Sequence, residues 1–437
     1  RDMNVEKLIN DGLMVIFFFV VGLEIKREIV CGELSTARKA ILPVMAAAGG
    51  MLAPALIYLA FNHGTPAAHG WGIPTATDIA FAIGILSLMG DRVPVSLKIF
   101  LTALAVVDDL GAILVIAVFY GGAVKWGFLF LALAIMAGLY GLNRLGETRI
   151  SYFLIPAFVV WGLFYYSGIH ATLSGVAMAM IIPMRPRYSK PYFFRQLRNF
   201  TRSLERVREE DERFPDAEQR YYLQRMKDLS YNSIGMSYRL EDLLAPYVTF
   251  IIMPIFALAN AGVRIDLEYL DIFRYSSEGG AVGMGIFLGL LVGKPLGIML
   301  FSMAVVKSKL ASLPENVNWF HMLGASILGG VGFTMAIFVA NLAFTDETHV
   351  ATAKLGILAA SLLAGVLGFV FLLLQAKAAQ RRGVAYLSAA TTWRARRRAT
   401  RPRAMPRSCC AISRVRPSKA RWRRRRSAAA CSRSSWI

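Results

Sequence analysis

Two adjacent carboxylates, Asp108 and Asp109, interrupt an apolar stretch, LTALAVVDDLGAILVIAVFY, that runs from Leu101 to Tyr120 and is long enough to cross a bilayer. A charge at the bilayer centre costs about 2.5 to 3.5 kcal/mol on insertion scales, so a pair is tolerated where water, an ion or a countercharge meets it. Successive residues on a helix diverge by about 100°, so the two side chains cannot point at one spot. One can face an ion path while the other faces a neighbouring helix. Carboxylates this close couple their titrations, and a proton and a hard cation compete for the same oxygens. The plain alternative, a DD pair at a helix end in a loop, fits poorly with apolar residues on both sides.

Lys294, in GLLVGKPLGIML, is the other costly charge. A buried amine needs an acid or helix-end carbonyls, and Asp108 or Asp109 is the economical partner; the alternative is snorkelling to an interface. In IPTATDIAFAIGILSLMG, Asp78 follows a break at Pro74 and Thr75, where it could offset the positive ends of half-helices with the Thr77 hydroxyl beside it. It could equally be an ordinary N-cap. His170, in YSGIHATLSG, is as readily a helix-end residue as a pH switch. Glu24, Lys26, Arg27 and Glu28 end one apolar run, and Arg239, Glu241 and Asp242 precede another. Together they could form an acidic funnel for cations; taken singly they are solvated helix ends.

The elements that must position these residues follow from composition. The chain has 437 residues, 56% of them hydrophobic, and a mean hydropathy of +0.49. Its apolar sequence falls into continuous runs of roughly 20 residues, the pattern of an all-α polytopic membrane protein and not of a β-barrel. Eleven spans are predicted, at about 9–29, 40–61, 73–90, 95–120, 124–143, 150–166, 168–184, 245–263, 281–305, 320–343 and 351–376. Lys and Arg concentrate in the loops after alternate spans, which places those loops in the cytoplasm and Arg1 outside. The third span carries the break before Asp78, and the tenth crowds Gly329, Gly330 and Gly332 within four positions. Each is the middle of a triplet, and paired interruptions of this kind point to a transport site, because half-helix ends expose unpaired backbone groups at mid-membrane.

Four segments are expected: membrane helices with the first triplet over 1–184, a cytoplasmic charged insertion over 185–244, membrane helices with the second triplet over 245–382, and a disordered Arg-rich tail over 383–437. The insertion reads as a helical hairpin broken near Phe214 and Pro215. The net charge of +21 would suggest nucleic acid, but the tail holds 15 Arg, one Lys and no acid, so 16 of those charges sit there. Its composition cannot bury a core; anionic lipid or RNA is one reading, and non-native sequence is preferred. Of four cysteines, three are in the tail and Cys31 is at a helix end, without metal-ligand spacing. No cleavable signal peptide is seen, and the absence of an initial methionine suggests that an upstream piece is missing. No GxxxxGK[ST] motif is present, so ion gradients would drive any cycle. An intramembrane aspartyl protease would need its two carboxylates on different helices, typically as YD and GxGD. A channel has little use for a titrating pair.

The motifs ATDIAFAIG, ALAVVDDLGAI, SGIHATLSG, MPIFALANAGV, GKPLGI and GGVGFTM occur in this order between Val5 and about Leu374. With the two broken spans they closely resemble the NhaA-type sodium/proton antiporters. That family is itself one of the cases behind the paired-interruption rule, so the agreement is not independent. The resemblance implies an inverted-repeat antiporter fold of twelve helices with two broken transmembrane helices, the family's first helix lying before Arg1. It implies a secondary active transporter of the bacterial inner membrane, not an enzyme, exchanging Na⁺ or Li⁺ for H⁺ by alternating access. Exchange would be electrogenic and activated at alkaline pH.

Carried over by position, Asp109 resembles the principal ion and proton carboxylate, and Asp108 its partner in Na⁺ binding, paired with Lys294. Thr77, Asp78, Gly329, Gly330 and Gly332 resemble the broken-helix positions. Glu24, Arg27, Glu28, His170, Arg239 and Glu241 resemble positions linked to pH response. Asp242 and Ala245 stand where members often have histidines, which would shift a pH profile. No cofactor is implied. The implied partners are Na⁺, Li⁺, H⁺ and membrane lipid, with no nucleic acid. The resemblance implies a possible homodimer, formed through a β-hairpin in a segment expected before Arg1, so dimerisation of this chain is an open expectation.

Overall fold

A computed structural model of the chain describes residues 9–121, 124–206, 216–260, 262 and 281–381, all of them within one compact unit, Arg1–Ser388. The tail over 383–437, the hairpin break at Phe214 and Pro215, and the chain start lie outside the described residues. Among the described residues, all regular structure is helical.

A π-helical turn, Ile9–Leu13, leads into α1 (Met14–Cys31), followed by α2 (Ala37–Asn62). A 3₁₀ segment, Pro66–Thr75, precedes α3 (Ile79–Leu88), and α4 (Val95–Phe119), α5 (Trp126–Arg144), α6 (Ser151–Ser167) and α7 (Thr172–Ile181) follow. The charged insertion forms α8 (Lys190–Arg206) and α9 (Ala217–Asn232), which pack on each other. The Arg187 N–H donates to Asn232 O at 3.1 Å and the Ser237 N–H to Pro183 O at 3.2 Å, pinning the two legs at their base. α10 (Met236–Tyr247) runs through a π turn into α11 (Met253–Asn260). The second half is α12 (Val282–Leu288), a π turn at Gly289–Gly293, α13 (Lys294–Lys307), α14 (Trp319–Gly329), α15 (Phe333–Ala343) and α16 (Glu347–Arg381).

Seven of these helical stretches are long and apolar enough to cross a membrane, or eight when α14 and α15, bent by 45°, count as one. The other three of the eleven predicted spans are helical but do not meet that standard on their own. α6 and α7 have 17 and 10 residues, and α1 carries Glu24, Lys26, Arg27 and Glu28 in its last turns. The third span starts earlier than predicted: it opens as the 3₁₀ segment at Pro66, and Pro74 leads into an extended link at Ala76 to Asp78.

Small residues set the crossings that carry the site. α2 and α13 meet backbone to backbone, since a Cβ on Gly49 would stand 2.3 Å from Gly297 O and one on Gly297 2.0 Å from Gly49 O. This close approach seats Lys294, at the head of α13, among helices instead of lipid. In the second break, a Cβ on Gly330 would lie 2.5 Å from Leu290 O, so only glycine lets the interrupted span press on the π turn before α13. One apolar cluster, including Phe18, Tyr58, Val106, Ile286, Met335, Phe338 and Ile357, joins α1, α2, α4, α12, α15 and α16 around these crossings.

Candidate functional site

The first break is built by the sequence TATD. The Thr75 hydroxyl donates back to Gly72 O at 2.7 Å, closing the 3₁₀ segment. Asp78 then serves as N-cap of α3, its Oδ1 accepting the Phe81 N–H at 3.1 Å. The second break leaves α14 at Gly329 and resumes at Phe333. The two breaks cross and bond to one another. The Asp78 N–H donates to Val331 O at 2.7 Å, and Asp78 Oδ2 accepts the Thr334 N–H at 3.2 Å and the Thr334 hydroxyl at 2.5 Å. One buried carboxylate thereby faces the N-terminal ends of both α3 and α15, where unpaired N–H groups and the helix dipoles favour negative charge. At the same end of α15, Ser361 Oγ of α16 accepts the Gly332 and Phe333 N–H groups at 3.2 and 3.1 Å. It supplies from a neighbouring helix the cap that Gly332 lacks.

Thr77 joins this crossing to α4. Its hydroxyl lies 2.5 Å from Asp108 Oδ2 and 3.1 Å from Gly329 O. It has one proton to give, and the shorter contact to the carboxylate is the stronger use of it. Lys294, with no exposed surface, donates to both Thr77 Oγ1 and Asp108 Oδ2. Asp108, Lys294 and Thr77 therefore form a closed triangle contributed by α4, α13 and the first break.

Asp109 is different. It is 1% exposed, yet neither of its carboxylate oxygens has a hydrogen-bond partner, and Asp108 Oδ1 is also unbonded. Buried polar atoms are nearly always paired, so three orphaned carboxylate oxygens on one helix turn call for an explanation in function. Among the described residues there is no cluster of three or more His, Cys, Asp or Glu able to hold a metal. A hard cation here would draw on one or both aspartates with carbonyl, hydroxyl or water oxygens, the donor type such ions favour.

The remaining predicted residues lie in other bonds. Arg27 of α1 pairs with Glu241 of α10 and lies 3.6 Å from Glu28, whose Oε2 accepts the Glu33 N–H at 3.1 Å. Glu24 is half-buried on the same helix. The Arg239 guanidinium stacks 4.1 Å from the Tyr231 ring centre, and His170 Nε2 is 2.6 Å from Tyr120 O at the end of α4. The structure thus groups Arg27, Glu28 and Glu241 and keeps His170 in separate contacts. Lys26, read from sequence as one of the charges at a helix end, donates instead to Met180 O at 2.7 Å and to Ile182 O, capping the C-terminus of α7. Two residues at the crossing escaped sequence reasoning. Thr334 stands inside the GGVGFTM motif, where its register next to the break was the available signal. Ser361, in the middle of a long apolar helix, had none.

Residues 1–372 match the family model described as Na⁺/H⁺ antiporter 1. The chain is 48% identical over 365 residues, 83% of its length and 80% of the relative's, to the Na⁺/H⁺ antiporter NhaA of Oleidesulfovibrio alaskensis. It is 45% identical over 364 residues, 83% of its length and 82% of the relative's, to the Na⁺/H⁺ antiporter NhaA 2 of Syntrophotalea carbinolica. Against the Na⁺/H⁺ antiporter NhaA of Wolinella succinogenes it is 43% identical over 371 residues, 85% and 81% of the two chains.

Proposed function

Because the chain belongs to the Na⁺/H⁺ antiporter 1 family, we propose that it exchanges Na⁺ or Li⁺ for H⁺ across the bacterial inner membrane, with Asp109 as the carboxylate that both ions use. The observation that carries this reading is the buried Asp109 carboxylate with both oxygens unbonded, beside an Asp108 that Lys294 and Thr77 already hold. A proton on Asp109 neutralises it, and Na⁺ binding requires it ionised, so either ion excludes the other. Exchange follows from that exclusion.

Lys294 offsets the charge of Asp108, leaving Asp109 as the group whose charge changes with occupancy. Asp78, held by Thr334 and Phe81, keeps the two half-helix starts together while the triplets, in an inverted repeat, rock around the site to open it alternately. The Arg27–Glu241 pair, with Glu24, Glu28 and Arg239 nearby in sequence, is the proposed cytoplasmic entrance and pH-response region, and His170 a further pH-response position. Exchange is electrogenic and rises at alkaline pH in this reading. In this reading the charged insertion, with α8 and α9, lies in the cytoplasm.

The test is transport in sealed proteoliposomes. Adding Na⁺ or Li⁺ at alkaline pH dissipates an imposed ΔpH, and the Asp109→Asn variant does not support this. Retained exchange in that variant overturns the assignment of Asp109.

A further inference from the structure

Away from the ion site, the first turns of α2 and α4 and the loop after α13 enclose a cavity of about 1110 Å³. The loops at these three ends, with Arg38 and Lys39, Arg92 and Lys98, and Lys307 and Lys309, are the ones whose basic residues place them on the cytoplasmic side. Arg38, Lys39 and Lys309 stand on its wall with the carboxylates of Glu33 and Glu315. Lys39 and Glu33 approach to 3.7 Å. Arg38 and Lys309 are exposed. The N-caps of the two helices that open into the cavity, Thr36 and Pro94, make no side-chain capping bond, so the positive ends of α2 and α4 add to the field there.

Two features separate a lipid from a dissolved anion. Part of the cavity wall is apolar, with Leu42, Phe100 and Val306. Ile99 and Leu310, on the same cavity, are 45% and 59% exposed. An inorganic anion would leave those side chains uncovered, whereas acyl chains would cover them. Basic pockets between membrane helices on the cytoplasmic side are suited to lipid headgroups for this combination of reasons.

We propose that this cavity is a phospholipid site, with the headgroup phosphodiester held by Arg38 and Lys309, an ammonium of the same headgroup met by Glu33 and Glu315, and the chains laid along Ile99 and Leu310. Such a lipid would bridge the cytoplasmic ends of α4 and α13, the helices that carry Asp108 and Lys294. The proposal needs only the membrane placement of these ends and is independent of the assignment of Asp109.

Lys309 offers a clean test. It occupies the left-handed region, with φ of 59°, where it closes the end of α13 through its own N–H to Val306 O at 3.1 Å and the Leu310 N–H to Val305 O at 3.2 Å. Glycine is the preferred residue at such a position, so Lys309→Gly removes the cation while easing the backbone. The full chain in detergent is titrated with phosphatidylethanolamine and followed by native mass spectrometry, with diacylglycerol of the same chains, phosphatidylglycerol and inorganic phosphate as comparison arms. Lys309→Gly is expected to bind phosphatidylethanolamine about fivefold more weakly at an unchanged or higher Tm, with a similar further loss for Arg38→Gln. Wild-type retention in both variants overturns the site, as does equal retention of diacylglycerol, which would make it an apolar groove alone. Displacement of the lipid by inorganic phosphate also overturns it in favour of a free-anion site. Phosphatidylglycerol binding as tightly as phosphatidylethanolamine overturns the role given to Glu33 and Glu315.

Discussion

Asp78 and Thr334 stand on different broken spans, 256 positions apart, and are joined twice: Asp78 Oδ2 accepts both the backbone N–H and the hydroxyl of Thr334. With the Phe81 N–H on Oδ1, one carboxylate ties the starts of two half-helices. The crossing is held by side-chain chemistry as well as by backbone contact.

Removing the hydroxyl tests that link. Thr334→Val keeps the β-branched shape and the N–H but takes one hydrogen bond from a buried carboxylate, which costs about 1 to 3 kcal/mol. We expect a lower Tm and slower exchange, with Thr334→Ser restoring most of both. Thermal unfolding that does not respond to Thr334→Val would show that the backbone bonds alone hold the crossing.

Asp109→Asn should separate function from fold. Neither Asp109 oxygen is bonded, so the change loses no hydrogen bond and removes a costly buried charge. Exchange is expected to vanish while the melting temperature is held or raised. A fall in Tm like that of a broken ion pair would mean that Asp109 has a structural partner.

Lys294→Ala has the opposite signature. Asp108 would keep the Thr77 hydroxyl but lose its countercharge, and removing one member of a buried pair costs about 3 to 5 kcal/mol. Tm and exchange should fall together, and the double variant Lys294→Ala/Asp108→Ala should recover part of the lost stability. Calorimetry on the single and double variants decides it; equal losses would argue against the pair.

Asp346, just before α16, gives a pH prediction outside the membrane. The Thr348 hydroxyl and, next, His349 Nδ1 at 2.7 Å hold its carboxyl below the ordinary value of 3.8. A depressed folded value means that the stabilising contribution is present above the ordinary carboxylate range and is lost as pH falls through the lower, folded value. Carbon-detected NMR should find Asp346 titrating below 3.8, and Thr348→Ala should move it up. A midpoint that does not respond to Thr348→Ala would rule out the hydroxyl as the leading cause.

The helical class and the two interruptions were legible because both depend on local pattern. Continuous apolar runs had to be helices in lipid, since no other open structure satisfies its own backbone. Pro74 with its polar neighbours and the Gly329 to Gly332 cluster marked the breaks because these residues fit poorly inside a helix. Span strength was less legible: α1, α6 and α7 are helical, yet their length or charge leaves them below what crossing alone requires. The contact of Lys26 is hidden for a related reason, because a cation at a helix end looks solvated until the end of another helix is placed beside it.

By itself the sequence determined that two adjacent carboxylates, a lysine and two broken spans must share the interior of a helical membrane protein, because each is too costly facing lipid. Residue types left either aspartate open as the partner of Lys294. The tertiary structure decided that the ammonium meets Asp108 with Thr77 and that Asp109 is left unbonded. It also brought in Ser361 to cap a half-helix. These choices depend on which face of one helix meets another, across 186 positions in the case of Lys294 and Asp108. Crossings such as that of Gly49 with Gly297 fix those faces, and no local period encodes them.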